Sequence, residues 1–244
     1  LENQGVSMKY LLATVLILIG CHSEPPPPLA EQIKQKKESL KAPEDVQKLM
    51  KDDLDRLIKM GLSENALGKG NKLPDFEMLD EKGEKVSISS LYEKAPLVIT
   101  FYRGGWCPYC MLELKTYEAL LEKFTDAGSI VIGISPETIM ELKKTRKKND
   151  LSFALYSDKD NAVAKKLGLS FKMGQPIIDL YKKFEIDLSA SQGNDENVLP
   201  MPGTYVIDKK GVIRFAFFNS DYTLRAEPTE VLKIVKGLNK IEAL

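Results

Sequence analysis

The decisive stretch is Phe101-Tyr102-Arg103-Gly104-Gly105-Trp106-Cys107-Pro108-Tyr109-Cys110. Before it, Leu97 to Tyr102 is an apolar run suited to a buried strand. After it, Leu112, Leu120, Leu121 and Phe124 form much of an apolar stripe, which predicts a helix from Pro108 to Ala127. Pro108 suits the first turn, where its missing N–H would be unpaired anyway. Gly104 and Gly105 leave room for a sharp turn. The two cysteines therefore lie where a strand turns into a helix. The positive end of the helix and its unpaired N–H groups favour a thiolate there. Thiols so placed fall from pKa ~8.5 to ~3.5–7.5. Arg103 is a candidate source of further positive charge, and Trp106 is a candidate wall of a substrate groove.

Composition supports sulfur chemistry by elimination. The chain has 244 residues, with 35 basic and 35 acidic side chains, so it lacks the cationic excess of a nucleic-acid binder. It contains one His (His22), one Trp (Trp106) and three Cys (Cys21, Cys107, Cys110). A lone His argues against Ser-His-Asp and Cys-His enzymes, and the ligands for a zinc site are missing. A purely structural disulfide is the competing reading of Cys107 and Cys110. A loop that short constrains the unfolded chain little, so redox work is the better reading.

Outward from this motif the pattern alternates. A hairpin is expected at Phe76–Leu79 and Val86–Ile88 across the Gly83 turn, then strands at Leu97–Tyr102, Ser129–Ile134 and Phe153–Tyr156. Helices are expected at Pro108–Ala127, Pro136–Asn149 and Ala162–Leu167. The stretch 168–200 reads as an irregular excursion. A second hairpin, Thr204–Asp208 with Val212–Phe218, and a closing helix, Pro228–Leu238, follow. A βαβ core implies parallel strands with helices on both faces. The order is that of a thioredoxin-like three-layer α/β/α sandwich with a central mixed sheet. Two charged helical patterns, Leu29–Lys41 and Pro43–Met60, precede it as an extension.

The N-terminus carries an expectation about location. Met8-Lys9 is followed by an apolar run to Gly20, too short to span a bilayer. Residues 1–7 precede Met8 and are left out of the fold reading. Leu18-Ile19-Gly20-Cys21 resembles the lipobox of bacterial lipoproteins, which implies lipidation of Cys21. The expected organisation is a signal peptide (1–20), a lipidated Cys21 with a Pro-rich linker (21–28), a helical extension (29–69) and a thioredoxin-like domain (70–244). The expected location is extracytoplasmic, lipid-anchored to a bacterial membrane, on the periplasmic side of the outer membrane if there is one.

Trp106-Cys107-Pro108-Tyr109-Cys110 resembles the thioredoxin Trp-Cys-x-x-Cys site. Over about 70–240, Pro74-Asp75-Phe76, Phe101 through Cys110, Ile134-Ser135-Pro136, Pro202 through Asp208 and Arg225 through Pro228 resemble peroxiredoxin-like proteins of the alkyl hydroperoxide reductase and thiol-specific antioxidant family. The resemblance implies reduction of peroxides or disulfides by Cys107 and Cys110, with no cofactor or metal and with an external thiol donor such as a thioredoxin-like protein. It also implies that Pro202 faces the pair, usually with a cis peptide bond, and leaves Arg103, Trp106 and Pro108 in support. The pattern departs from peroxiredoxins, which carry Pro seven residues and Thr or Ser three residues before the attacking Cys. Counting back from Cys110 gives Arg103 and Cys107; from Cys107 it gives Thr100 and Gly104. Either cysteine is thus a candidate nucleophile. The alternative function is a non-enzymatic lipoprotein with a structural disulfide and a partner-binding helical N-terminus. Arg225 is a candidate partner for Glu227 or for the site.

Overall fold

The computed structural model describes residues 26–242. Its first half runs α1 (Leu29–Leu40), α2 (Glu44–Lys59), β1 (Glu77–Leu79), β2 (Lys85–Ser87), α3 (Ser89–Tyr92), β3 (Leu97–Phe101), α4 (Pro108–Ala119), α5 (Leu121–Asp126) and β4 (Ile130–Ser135). The second half runs α6 (Ile139–Lys148), β5 (Ala154–Ser157), α7 (Ala162–Lys166), β6 (Ser170–Lys172), α8 (Gln175–Lys183), α9 (Leu188–Gln192), β7 (Val198–Pro200), β8 (Gly203–Ile207), β9 (Ile213–Phe218) and α10 (Pro228–Glu242).

Among the described residues the strands form a seven-stranded sheet, ordered β2-β1-β5-β4-β3-β8-β9. β3, β4 and β5 are parallel, joined by α4–α5 and by α6. β8 runs antiparallel to β3, and β1 antiparallel to β5, so the sheet is mixed. Side chains alternate across a strand, and β3 shows the result. Leu97, Ile99 and Phe101 enter one core with α2, α7, α8 and α9. Val98 and, just beyond the strand, Tyr102 enter the other with α1, α4, α5, α6 and α10. The three layers follow from that alternation.

Three expectations need correction. The helix drawn from Pro108 to Ala127 is two helices, because Leu120 leaves helical geometry at φ −107° and ψ 2°. The break sets Phe124 against Tyr117, with ring centroids 5.7 Å apart. The stretch 168–200 is not irregular: β6 pairs with β7 as a separate two-stranded sheet, and α8 buries Ile177, Ile178, Leu180 and Tyr181. Helices of nine and five residues between two three-residue strands are too short for periodicity to stand out in the sequence. The peptide bond before Pro202 is trans, since no cis bond occurs among the described residues.

The extension spans both layers. α1 buries only Leu29 and Ile33, one turn apart, in the layer of α4. Glu227 accepts the Leu29 N–H at 3.1 Å, and Gln32 donates to Thr116 Oγ1 at 3.2 Å. α2 lies in the opposite layer, with Leu57 buried in that core and Arg56 donating to the Lys172 carbonyl at 3.4 Å. Leu57→Ala is expected to cost about 2–4 kcal/mol, through lost burial and the cavity left behind. Ile58→Ala, at a side chain 56% exposed, is expected to change stability by less than about 0.5 kcal/mol. Urea midpoints of the two variants check both values; equal effects would mean that α2 is not packed as described.

Candidate active site

β3 delivers the chain to the sheet end where the cysteines lie. Beyond it, Gly104 adopts φ 148°, and a Cβ there would stand 2.4 Å from Trp106 Nε1. A Cβ on Gly105 would stand 2.1 Å from Thr145 Oγ1, so both positions require glycine. Glu137, 2% exposed, holds this turn. Its carboxylate accepts the Gly105 N–H at 2.9 Å, the Tyr102 hydroxyl at 2.9 Å, Ser135 Oγ at 3.2 Å and Thr145 Oγ1 at 2.7 Å. Burial pushes the Glu137 carboxyl up, against the pull of those hydrogen bonds.

Cys107 is the N-cap of α4, and Pro108 occupies the first turn. The Cys107 sulfur accepts the Cys110 N–H at 3.4 Å and Arg103 Nη2 at 3.2 Å. Both thiols are free and fully buried. Burial pushes the Cys107 thiol up. The hydrogen bond from the Cys110 thiol and the charges of Arg103 and Arg225 outweigh it, holding Cys107 well below the ordinary thiol value. Cys110 moves the other way: burial, its hydrogen bond to Cys107 and the charge of Cys107 hold it well above, against the pull of both arginines. Arg103 and the Cys110 N–H thus favour the thiolate at Cys107, while Cys110 is held toward the thiol.

Each sulfur has its own arginine. Arg103 is 4% exposed; its Nη1 donates to the Tyr181 hydroxyl at 3.1 Å, and its guanidinium lies 4.0 Å from the Tyr222 ring centroid and 5.2 Å from that of Trp106. Arg225 Nη2 donates to the Cys110 sulfur at 3.4 Å. Its Nη1 forms an ion pair with Glu113, both side chains being buried. Thr204 donates to the other Glu113 oxygen at 3.2 Å. Burial pushes the Glu113 carboxyl up, and Arg225 pulls it back only in part.

Cys107, Cys110, Arg103, Trp106 and Pro108 thus come together. Pro202 is buried and precedes Gly203, which pairs with Phe101, so it sits at the same sheet end. Cys21 lies outside the described residues. No group of three or more His, Cys, Asp or Glu among the described residues is arranged to hold a metal ion. Arg225 serves the site, whereas Glu227 caps α1. Glu113, Glu137, Tyr181 and Tyr222 went unrecognised in the sequence. Only Glu113 carried a signal, lying three residues after Cys110 and so on the same helical face.

The AhpC/TSA family model matches residues 69–216. The chain is 31% identical over 172 residues to chloroplastic peroxiredoxin Q of Oryza sativa subsp. japonica, covering 70% of this chain and 68% of that protein. It is 31% identical over 183 residues to chloroplastic peroxiredoxin Q of Triticum aestivum, covering 75% and 73%. Peroxidoxin BcpB from Mycobacterium tuberculosis shares the fold at a TM-score of 0.55 and 20% identity, over 70% of this chain and 98% of that one. These findings correct the expected location. The curated relatives are chloroplastic peroxiredoxins, which an extracytoplasmic, lipid-anchored protein does not fit. Among the described residues no helix is long and apolar enough to cross a membrane.

The reduced protein is expected to show thiolate absorbance with a midpoint well below the ordinary thiol value. As pH falls through that midpoint, Cys107 takes up a proton and the absorbance is lost. Arg103→Gln removes an opposite charge beside the sulfur and is expected to move the midpoint up. A midpoint unchanged in Arg103→Gln would remove Arg103 from this role.

Proposed function

The chain belongs to the AhpC/TSA family and is a thiol-dependent oxidoreductase of peroxiredoxin type, and from that premise we propose that it reduces peroxides through a Cys107/Cys110 dithiol–disulfide cycle. The observation that carries this reading is the asymmetry of the pair, with Cys107 held as thiolate against Arg103 and Cys110 held protonated.

The Cys107 thiolate attacks one peroxide oxygen. An S–O bond forms, the O–O bond breaks, and the departing alkoxide or hydroxide takes a proton to leave as alcohol or water. The sulfur, oxidised by two electrons, is now a sulfenic acid. This step consumes the charge on Cys107, and with it two of the causes that hold Cys110 protonated. Arg225, 3.4 Å from the Cys110 sulfur, then favours its thiolate. Cys110 loses its proton and attacks the sulfenic sulfur; an S–S bond forms and water leaves. An external dithiol, for which a thioredoxin-like protein is the candidate, returns two electrons and two protons by thiol–disulfide exchange and becomes a disulfide itself. Glu113 balances Arg225, and Trp106, Tyr181 and Tyr222 hold Arg103 in place.

The test uses the full chain with dithiothreitol as donor and the uncatalysed rate subtracted. Cys107→Ser is expected to lose peroxide turnover by about 10³-fold or more. Cys110→Ser is expected to accumulate a dimedone-reactive sulfenic acid on Cys107. Retained turnover in Cys107→Ser, with dimedone captured on Cys110, would reverse the assignment of the two cysteines.

A further inference from the structure

Neither Cys107 nor Cys110 has exposed surface, and Arg103 beside them is 4% exposed. Exchange with another protein requires one sulfur to attack the other directly. Two sulfurs cannot meet while one of them is sealed inside its fold, so an element over the site has to move. α2 stands over it. Its residues Met50, Asp53, Leu54 and Leu57 enclose a small space with Arg103, Tyr181 and Tyr222, while Lys48, Lys51 and Asp52 on its other face are exposed. α2 lies outside the matched family region, which begins at residue 69.

This helix is held lightly. Leu57 is its one buried residue. Its ion pairs, Lys48–Asp52, Lys51–Asp55 and Asp53–Arg56, all lie within the helix and tie it to nothing else. Among the described residues its hydrogen bonding to a distant segment is Arg56 to the Lys172 carbonyl at 3.4 Å. A groove of about 700 Å³ separates Val46 and Met50 from Leu180 and Phe184 of α8. Few buried apolar contacts mark a segment that opens at low cost. The flanks are firm by contrast. α1 is fixed through Glu227 and Thr116; beyond α2, Leu62 is buried and the Leu67 N–H donates to the Leu167 carbonyl at 3.0 Å. Between each flank and α2 sits a residue of left-handed backbone, Lys41 at φ 23° and Gly61 at φ 60°.

We infer that α2 is a strap hinged at Lys41 and Gly61, and that its lifting admits large thiol reagents and protein thiols to the cysteine pair, whereas hydrogen peroxide enters with it seated. Small molecules need only side-chain rotation, which is fast; a helix moves more slowly and as a unit. The division into a peroxide step and a reduction step rests on the peroxidase reading, and the strap does not.

The test compares two alkylating probes on the reduced full chain, with labelling of Cys107 located by peptide mass: iodoacetamide and a maleimide carrying a polyethylene glycol chain. Leu57→Ala is expected to speed the large probe by about tenfold and the small one by less than about twofold. Met50→Ala, at a half-buried side chain that spares the core, is expected to act in the same sense by a smaller factor, and exposed Ile58→Ala on neither probe. Hydrogen exchange is expected to be faster in α2 than in the first turn of α4. Equal acceleration of both probes in Leu57→Ala and Met50→Ala, or an α4 turn that opens while α2 stays protected, overturns the strap even if hydrogen peroxide is consumed. In the half-reactions, reduction of the oxidised pair by reduced thioredoxin is expected to quicken in Leu57→Ala, with oxidation by hydrogen peroxide unchanged. The labelling pattern without oxidation by hydrogen peroxide supports the strap and refutes the peroxidase reading.

Discussion

A reactive thiol with no contact to water, drawn toward its anion by its neighbours, is the constraint around which this molecule is arranged. Cys107 is fully buried. A buried charge without a partner costs several kcal/mol. The fold answers with a helix N-terminus, the Cys110 N–H and thiol, and Arg103 at 3.2 Å. A second arginine beside Cys110 brings another buried positive charge, and Glu113 offsets it. The site therefore sets two acidic groups, Cys107 and Glu113, against two arginines, Arg103 and Arg225. Removing any one of them would leave an uncompensated charge in the interior.

This balance draws on distant parts of the chain. Arg103 needs Tyr181 from α8 and Tyr222 from the segment before α10. The turn carrying Arg103 and Trp106 needs Glu137, which lies between β4 and α6 and is itself fixed by Tyr102, Ser135 and Thr145. The extension joins the same end of the molecule, with α1 on α4 and α2 beside α8. The sheet holds its strand ends in register, so these groups converge on one place.

The parts of this design that were legible beforehand share a property: each rests on neighbours in sequence. The strand before Arg103, the paired glycines, Pro108 in the first helical turn and the cysteines around it interact within about ten residues, and all appear where the pattern placed them. The two hairpins are likewise set by local turns. What went unread rests on contacts far apart in sequence. α8 is held by burial of Ile177, Ile178, Leu180 and Tyr181, and at nine residues its apolar face was too short to stand out. Glu113 went unread because a buried carboxylate makes sense only once Arg225, 112 residues away, is beside it.

The sequence by itself determined the layered α/β class, the strand-to-helix placement of the dithiol and the dependence on sulfur, because hydrophobic period, turn residues and a scarcity of histidine are properties of short windows and of composition. Only the tertiary structure decided which arginine meets which sulfur, and how deeply each is buried. Both are set by packing between elements that no local pattern connects.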